Sequence, residues 1–381
     1  MSNTSSPIEH GYLVLADISG YTAFLTQTEL DHAHEILTDL LEVVVNHFKT
    51  LLTIHKLEGD AIFAYASEAL VVRGETLLEL IESTYVDFRE RAKNVRRHTT
   101  CTCRACQNIP MLDLKFMVHH GDFVVQIIGG TRELAGSDVN LIHRLLKNHV
   151  SENTGWRAYA LFTQIAMDCM KLQPEGLVEG IESYEHLGEV KIYAMDMHAR
   201  YDFLMQKRHV FVEKSEAILS FIEEFDVPPP VVWSWLNEPE KRALYSLDPH
   251  GLQFVPIFRP GGRTTAGATT HCVHGKDIAM RETVLDWKPF DYFTVEQDSG
   301  IAGIIQVTFK FETLVKNGTR LRVFLKGYMP KWPRVLSRLA IKYFYTKVFP
   351  YETIALKLKE VMQREMAKTS DKAVLAEPAS V

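Results

Sequence analysis

The chain has 381 residues, more than one hydrophobic core usually supports, so two domains are expected. Hydrophobic residues make up 46% and charged residues 24%, a composition that excludes a largely disordered chain. The net charge of -6 argues against a nucleic-acid partner, because such binding needs a positive field. The sequence has neither the apolar run of a signal peptide nor a stretch typical of a membrane span, so we expect a cytoplasmic protein.

Strand and helix patterns alternate over residues 10–200. An apolar run at 12–16 ends at Asp17, as a buried strand does when it carries a carboxylate at its C-terminal end. Residues 28–51 keep the apolar spacing of one helix face. Glu58-Gly59-Asp60 then separates two strand-like runs, which predicts a tight hairpin.

After a predicted helix at 77–97 comes a Cys-rich insert at 98–110. Strand-like runs at 112–118 and 123–128 predict a second hairpin across His119-His120-Gly121-Asp122, and a further helix is predicted over 137–147. The order of elements predicts an α/β sandwich with helices over one mixed sheet.

The pattern changes after about residue 200. A strand-like run at 219–225 precedes Pro228-Pro229-Pro230, which opens a helix, and alternating strands follow between 254 and 325. A helical region begins at Pro333 and is broken at Pro350. We therefore predict a linker at 201–213 and a disordered tail at 367–381. Between them, residues 214–366 are predicted to form an α+β domain with an antiparallel sheet and a terminal helix.

Asp17 and Asp60 are the first candidates for a functional site. One lies at a predicted strand end and the other in a hairpin that fits beside that strand, an arrangement of hard carboxylates that suits Mg²⁺. Asn140 and Arg144 are four residues apart, so one helix face presents both. The alternatives are a turn or capping role for each Asp and a solvated helix face for the second pair.

Three segments, in this order, resemble the motifs of class III adenylate and guanylate cyclases. They are Ala16-Asp17-Ile18-Ser19-Gly20-Tyr21-Thr22, Lys56-Leu57-Glu58-Gly59-Asp60-Ala61-Ile62-Phe63-Ala64 and Gly136-Ser137-Asp138-Val139-Asn140-Leu141-Ile142-His143-Arg144-Leu145. The resemblance implies a ferredoxin-like sandwich that converts ATP to 3',5'-cyclic AMP and pyrophosphate. It also implies that Asp17, Asp60 and the Ile18 carbonyl hold two Mg²⁺ or Mn²⁺ ions, while Asn140 and Arg144 orient the ribose and stabilise the transition state.

The resemblance further places Lys56 and Glu133 at the purine. A Lys donor and a Glu acceptor match N1 and N6 of adenine, so ATP is the expected nucleotide. GTP is the alternative, because the Lys could also donate to O6 of guanine and the Glu accept from its N1–H. The position of a phosphate-binding Lys in the family is occupied by Leu187 in this sequence. Lys191 and His186 are the candidates to replace that Lys at the phosphates. The family completes each site between two domains, which implies a homodimer. The alternative is an inactive cyclase-like module that binds nucleotide or dimerises.

Four side chains of the insert offer ligands for a structural zinc ion: His98, Cys101, Cys103 and Cys106. Soft thiolates together with imidazole suit Zn²⁺. The spacing between Cys101 and Cys103 is tighter than that of the common Cys-x-x-Cys knuckle, so an inert loop is the alternative.

The segment from Phe225 to Pro239 and the alternation at 281–287 and 305–311 resemble the START-like (SRPBCC, polyketide cyclase-like) superfamily. The resemblance implies a helix-grip domain, in which a curved sheet wraps a long C-terminal helix and encloses an apolar cavity. A hydrophobic small molecule or lipid bound there is expected to regulate the first domain. Four aromatic residues are candidates for the pocket lining or, alternatively, for plain core: Trp233, Trp287, Phe293 and Phe324.

Overall fold

The computed structural model describes residues 8–68, 70–71, 74–98, 103–172, 176–206, 210–245, 252–274, 277–299, 303–329, 332–348 and 350–375. The chain divides into two compact units between Gln206 and Lys207. None of the helices in the described ranges is long and apolar enough to cross a membrane.

The first unit is built on one mixed sheet. Its strands in the described ranges are β1 (Ile8–Ser19), β2 (Thr53–Glu58), β3 (Ala61–Ser67), β4 (Asp113–Ile128), β5 (Thr131–Ala135), β6 (Tyr159–Thr163), β7 (Val178–Tyr184) and β8 (Gly188–Asp196). They follow the order β2-β3-β1-β4-β6-β8-β7, with β5 paired to the far end of β4. Strands β4 and β6 run parallel, whereas β1 is antiparallel to both of its neighbours. The predicted mixed α/β layout of this unit is confirmed.

Helices cover both faces of this sheet. They are α1 (Tyr21–Gln27), α2 (Leu30–Phe48), α3 (Gly74–His98), α4 (Arg104–Asn108), α5 (Ser137–Arg144), α6 (Val150–Thr154), α7 (Gln164–Met170) and α8 (Met197–Gln206). The predicted apolar face of α2 is buried, and its Phe48 ring packs 6.3 Å from that of Phe116. Helix α5 packs on the opposite face, where Val139 and Ile142 join Leu13 and Leu15 in one core cluster.

The predicted hairpin across residues 119–122 is wrong, because β4 runs unbroken through it. The four residues pair in register with 10–13 of β1, and Gly121 lies opposite Gly11. Pairing with a buried central strand therefore outweighs the turn preference of His-His-Gly-Asp. The reversal comes later, at Gly129-Gly130, where both residues have positive φ and connect β4 to β5.

The second unit has an antiparallel sheet in the order β10-β11-β12-β13-β14-β15-β9. The described strands are β9 (Leu219–Phe225), β10 (Leu252–Phe258), β11 (Thr269–His274), β12 (Asp277–Lys288), β13 (Tyr292–Asp298), β14 (Ile304–Thr313) and β15 (Thr319–Tyr328). The helices are α9 (Pro229–Asn237), α10 (Pro239–Leu244), α11 (Arg334–Tyr343) and α12 (Tyr351–Leu375). The predicted break at Pro350 is confirmed, and the likeness to START-like domains stays a prediction.

Two predicted irregular segments contain regular or docked structure. In the predicted linker, 201–206 belong to α8, and the backbone N–H groups of Val210 and Val212 donate to Asp286 and Thr308 side chains at 2.6 and 2.9 Å. In the predicted tail, α12 continues through Leu375. Polar composition therefore does not by itself indicate irregular structure in these two segments.

The four aromatic residues proposed for a pocket have different surroundings. Trp233 and Trp287 are core residues whose rings lie 4.7 Å apart. Phe324 faces away from this core, because Val323 and Leu325 on either side of it point inward. The pocket prediction is wrong for Phe324, whose ring packs 6.2 Å from Phe211 instead.

Candidate functional site

Asp17 lies near the C-terminal end of β1, between Ala61 of β3 and Lys115 of β4. Strand alternation places its side chain on the same sheet face as Leu13 and Leu15, which is the face that α5 covers. Burial and the negative charge of Asp60 raise the pKa of Asp17 to about 6, while Lys115 opposes the rise. The carboxyl group is thus partly desolvated beside a second acid.

Asp60 occupies the β2–β3 turn, after Gly59, whose φ of 67° is in the left-handed region that favours glycine. Its backbone oxygen accepts a hydrogen bond of 3.2 Å from the N–H of Ile18. Burial raises the pKa of Asp60, and Lys115 again opposes the rise. The hairpin therefore brings the second predicted carboxylate to the end of β1, next to the first.

The donor set at this corner fits hard divalent ions. In a strand, the N–H and C=O groups of one residue point to the same side, so the Ile18 carbonyl points toward the turn that carries Asp60. Two carboxylates and a backbone carbonyl are all oxygen ligands, as Mg²⁺ requires. A cation bound here would offset both the burial and the repulsion from Asp60 that raise the pKa of Asp17.

Lys115 is a residue of this corner that the sequence analysis missed. It lies opposite Asp17 in the β1–β4 register, and its Nζ is 5.4 Å from the centre of the Tyr159 ring. Its charge acts on both Asp17 and Asp60. Only the pairing of β4 with β1 reveals it, because nearly one hundred residues separate Lys115 from Asp17 along the chain.

A bulge in β2 determines the sheet face on which Lys56, one of the two predicted purine-binding residues, lies. The pairing with β3 passes from Ile54 to Lys56 without a partner for His55. Without the extra residue, Lys56 would share a sheet face with Ile54. With it, Lys56 lies on the other face, the one that α5 covers, together with its pairing partner Phe63. The Lys56 Nζ lies 3.8 Å from Glu58, and Glu133 lies 3.5 Å from His55 Nε2. Lys56 and Glu133 thus each lie close to a different side chain, Glu58 and His55 respectively.

The predicted Asn140 and Arg144 lie exposed on α5. The start of the helix is fixed by Asp138, which accepts hydrogen bonds from the Asp122 N–H at 2.7 Å and meets His119 Nε2 at 3.1 Å. Within the described residues, the side chains of Asn140 and Arg144 make no hydrogen bond or ion pair. They therefore do not contact Asp17 or Asp60 within the same chain.

Neither predicted substitute for the missing phosphate-binding Lys lies in a favourable place. Leu187 packs against the core cluster below α5, as do Val190 and Ile192 of β8. Lys191, between those two, points to the opposite face, where its Nζ lies 3.1 Å from Glu179. His186 is exposed on the β7–β8 turn.

The four predicted zinc ligands are only partly described. Cys103 and Cys106 lie together at the start of α4, and His32 of α2, which the sequence analysis did not consider, joins them. Cys101 and the side chain of His98 fall outside the described residues.

The second unit encloses a cavity of about 90 Å³. Of the four predicted aromatic residues, Phe293 lines it. Its walls are mostly apolar, but a buried ion pair closes one side: Arg242 donates to Glu282 at 2.6 and 3.0 Å, and Gln297 donates to the same carboxylate at 2.8 Å. A cavity of this size accepts a ligand of only a few heavy atoms without rearrangement.

Comparisons with known proteins give partial matches. A family model described as "Protein of unknown function (DUF2652)" matches residues 37–154. The "Uncharacterized protein Rv2561/Rv2562" of Mycobacterium tuberculosis (strain ATCC 25618 / H37Rv) is 29% identical over 165 residues, which is 42% of this chain and 73% of the relative.

Among solved structures, the chain is similar to a bacterial light-regulated adenylyl cyclase (12% identity, 53% of this chain, TM-score 0.38), of which it spans 58% of the length. It is also similar to the guanylyl cyclase Cya2 (14% identity, 50% of this chain, 93% of that one, TM-score 0.38). The adenylyl cyclase CyaB from P. aeruginosa matches with 15% identity over 50% of this chain and 94% of its own, with a TM-score of 0.38.

Proposed function

We propose that the first unit is a nucleotidyl cyclase that converts ATP to 3',5'-cyclic AMP and pyrophosphate with two Mg²⁺ or Mn²⁺ ions. The observation that carries the proposal is the meeting of Asp17, Asp60 and the Ile18 carbonyl at one end of β1. The three sequence motifs converge on the same chemistry, since each supplies a residue type that phosphoryl transfer uses.

In this reaction the ribose 3'-oxygen bonds to the α-phosphorus, the bond from that phosphorus to the pyrophosphate oxygen breaks, and the 3'-hydroxyl proton passes to water. The ions, when bound, neutralise phosphate charge and make the hydroxyl proton easier to remove. Arg144 is suited to stabilise the charge that spreads over the α-phosphate, and Asn140 to orient the ribose. Lys115, beside both carboxylates, is placed to contact the triphosphate.

The site we propose forms between two copies of the chain. Asn140 and Arg144 are exposed on α5 and, among the described residues, have no side-chain partner within their own chain. An exposed Arg and Asn on one helix face are available to a substrate held by the carboxylates of a second copy. Homodimerisation is therefore part of the proposal.

A second candidate function is binding without turnover, and Leu187 favours it. Leu187, at the position where the cyclase resemblance calls for a phosphate-binding Lys, is a partly buried apolar side chain that packs against the core, and Lys191 points to the other face. In this alternative the first unit binds nucleotide or dimerises. In both candidates the cavity beside Arg242 and Glu282 takes a small apolar ligand, as regulator or as cargo.

Incubation of the purified full-length chain with ATP and Mn²⁺, with cyclic AMP measured by mass spectrometry, tests the first candidate. We expect product from the wild type and a loss of about 100-fold or more in Asp17→Asn and Asp60→Asn. Asp202→Asn removes an exposed carboxylate of α8 and is the matched control, with activity unchanged.

Two outcomes contradict the cyclase proposal: no cyclic AMP from the wild type, or equal amounts from wild type and Asp60→Asn. Calorimetric titration with a non-hydrolysable ATP analogue then separates the alternatives. Binding that weakens in Arg144→Ala, without turnover in the wild type, supports the second candidate.

A further inference from the structure

A group of sulfur and nitrogen ligands lies away from the carboxylate corner. His32 is in the first turn of α2, Cys103 immediately precedes α4, and Cys106 is buried in that helix. The His32 Nδ1 atom lies 3.2 Å from the Cys103 Sγ atom. One ligand atom from each of the three side chains falls within 4.8 Å of the other two.

The backbone holds this group in place. Cys103-Arg104-Ala105-Cys106 has the Cys-x-x-Cys spacing, and the Cys106 N–H donates to the Cys103 sulfur at 3.4 Å. Glu29, the residue before α2, accepts hydrogen bonds from the N–H groups of Arg104 and Ala105 at 3.3 and 3.1 Å. The start of α2 and the start of α4 are thus fixed to each other at the point where the three ligands meet.

The distances suit three of the four ligand positions around one tetrahedral zinc ion. Zinc lies about 2.3 Å from a thiolate sulfur and about 2.0 Å from an imidazole nitrogen, so its ligand atoms are about 3.3 to 3.8 Å apart. The three atoms here need shifts of about 1 Å or less to reach that geometry. Two soft sulfurs and an imidazole select Zn²⁺ over Mg²⁺, which takes oxygen ligands.

We propose that His32, Cys103 and Cys106 bind a Zn²⁺ ion that ties α4 to the start of α2. This site differs from the expectation drawn from the sequence, because its histidine comes from α2, about seventy residues earlier. It is independent of the proposed cyclase activity, since it shares no residue with the carboxylate corner. Its role is structural: the ion links the insert after α3 to a core helix.

Metal analysis of the full-length chain, purified without chelator from zinc-supplemented medium, tests the proposal. We expect about one zinc per chain, and a loss of at least about ten-fold in occupancy in Cys103→Ser, Cys106→Ser and His32→Ala. Cys169→Ser and His34→Ala, in α7 and α2, are the matched controls and keep the zinc. Cobalt(II) in place of zinc gives a thiolate charge-transfer band, which Cys103→Ser weakens.

A second measurement covers the case in which the cysteine variants do not fold. Zinc is removed from the wild type with a chelator, and hydrogen exchange is compared before and after in peptides covering α4 and the start of α2. Faster exchange there, reversed by zinc alone, supports the site. A wild type that contains no zinc and binds none on titration, or zinc retained in the variant lacking all three ligands, overturns it.

Discussion

Gly121 shows how one residue fixes the position of the helix that carries Asn140 and Arg144. A Cβ atom at Gly121 would lie 2.4 Å from the carboxyl group of Asp138. Asp138 fills that space and accepts the hydrogen bond from the next backbone N–H, that of Asp122. A glycine is needed here for the close approach of a side chain, not for its own backbone angles.

We therefore expect Gly121→Ala to displace Asp138 and loosen the start of α5, with a loss of about 1 to 3 kcal/mol in local stability. Hydrogen exchange over β4 and α5 measures the effect, with peptides of the second unit as internal reference. Gly180→Ala is the control, because its Cβ would meet only the Ile192 side chain, at 3.3 Å. Equal increases of exchange over β4 and α5 in the two variants contradict this account.

At the residue scale, candidate site residues could be predicted where the signal lies in neighbouring residues of the sequence. Those that reach the site only through strand pairing or helix packing were missed. Asp17 and Asp60 could be chosen because each stands at a strand end or a turn. Lys115 and His32 carry no local signal, since Lys115 meets Asp17 only through the β1–β4 pairing and His32 meets Cys103 only through the packing of α4.

At the element scale, α10 and β12 are joined by the buried pair Arg242 and Glu282. Burial alone would raise the pKa of Glu282, but the charge of Arg242 and the hydrogen bonds from Arg242 and Gln297 outweigh it and hold the pKa below its usual range. A carboxyl group with a lowered pKa in the folded state stabilises the fold above its unfolded-state pKa. This stabilisation is lost as the pH falls through the folded-state value.

We expect Glu282→Gln to unfold at a lower temperature than the wild type at pH 7, because Arg242 then stays buried without a counter-charge. The difference shrinks as the pH falls below about 4.5, where the unfolded wild-type chain takes up a proton at Glu282. Tryptophan fluorescence follows this unit, since four of the five tryptophans lie at 233–332.

Glu224→Gln is the matched control for this measurement, because Glu224 is exposed and lies 2.7 Å from Arg320. Its melting temperature should follow that of the wild type at each pH. A difference between Glu282→Gln and wild type that stays constant from pH 7 to pH 3 would falsify the linkage to Glu282.

Secondary structure was predictable where apolar spacing is long and regular, as in α2, and where a turn is short, as between β2 and β3. It was not predictable in β4, where turn-forming residues lie inside a continuous strand. Pairing with β1 satisfies the backbone of residues 119–122, and β4 pairs with β6 only just before them, at 116–118, so long-range pairing decides the conformation.

At the scale of the whole molecule, the proposal that two copies complete each site has a direct test. Asp60→Asn and Arg144→Ala should each be inactive alone, since each removes a different half of the site. Mixed after subunit exchange, they should recover about one quarter of the wild-type rate, because half of random dimers are mixed and each holds one intact site.

Asp60→Asn mixed with Asp17→Asn is the control, because both changes affect the same half and no dimer contains an intact site. Recovery in the control, or none in the Asp60 and Arg144 mixture while the wild type is active, contradicts the dimeric arrangement. Sedimentation velocity on the same samples reports the oligomeric state independently.

Length and the change of pattern predicted two domains with a linker at 201–213, and the chain forms two compact units that divide between Gln206 and Lys207. The connector was not predictable in detail. Tyr201 looked like part of a polar segment, yet it is buried in α8 and its hydroxyl contacts Glu90. Likewise, Val212 is buried although the surrounding composition is polar. In both cases the residue contacts an element far away in the sequence: Tyr201 contacts Glu90 of α3, and Val212 contacts Thr308 of β14.

His55 of β2, which has no pairing partner in β3, affects how relatives of this chain should be aligned. Loss of one residue from a strand ordinarily moves every following side chain to the wrong face of the sheet. Here Ile54 and Lys56 already pair with the consecutive residues Ala64 and Phe63. A homologue without residue 55 would have a regular ladder, with Lys56 and Glu58 still on the α5 face. It would lose the contacts of His55 with Glu133 and with the Phe63 ring.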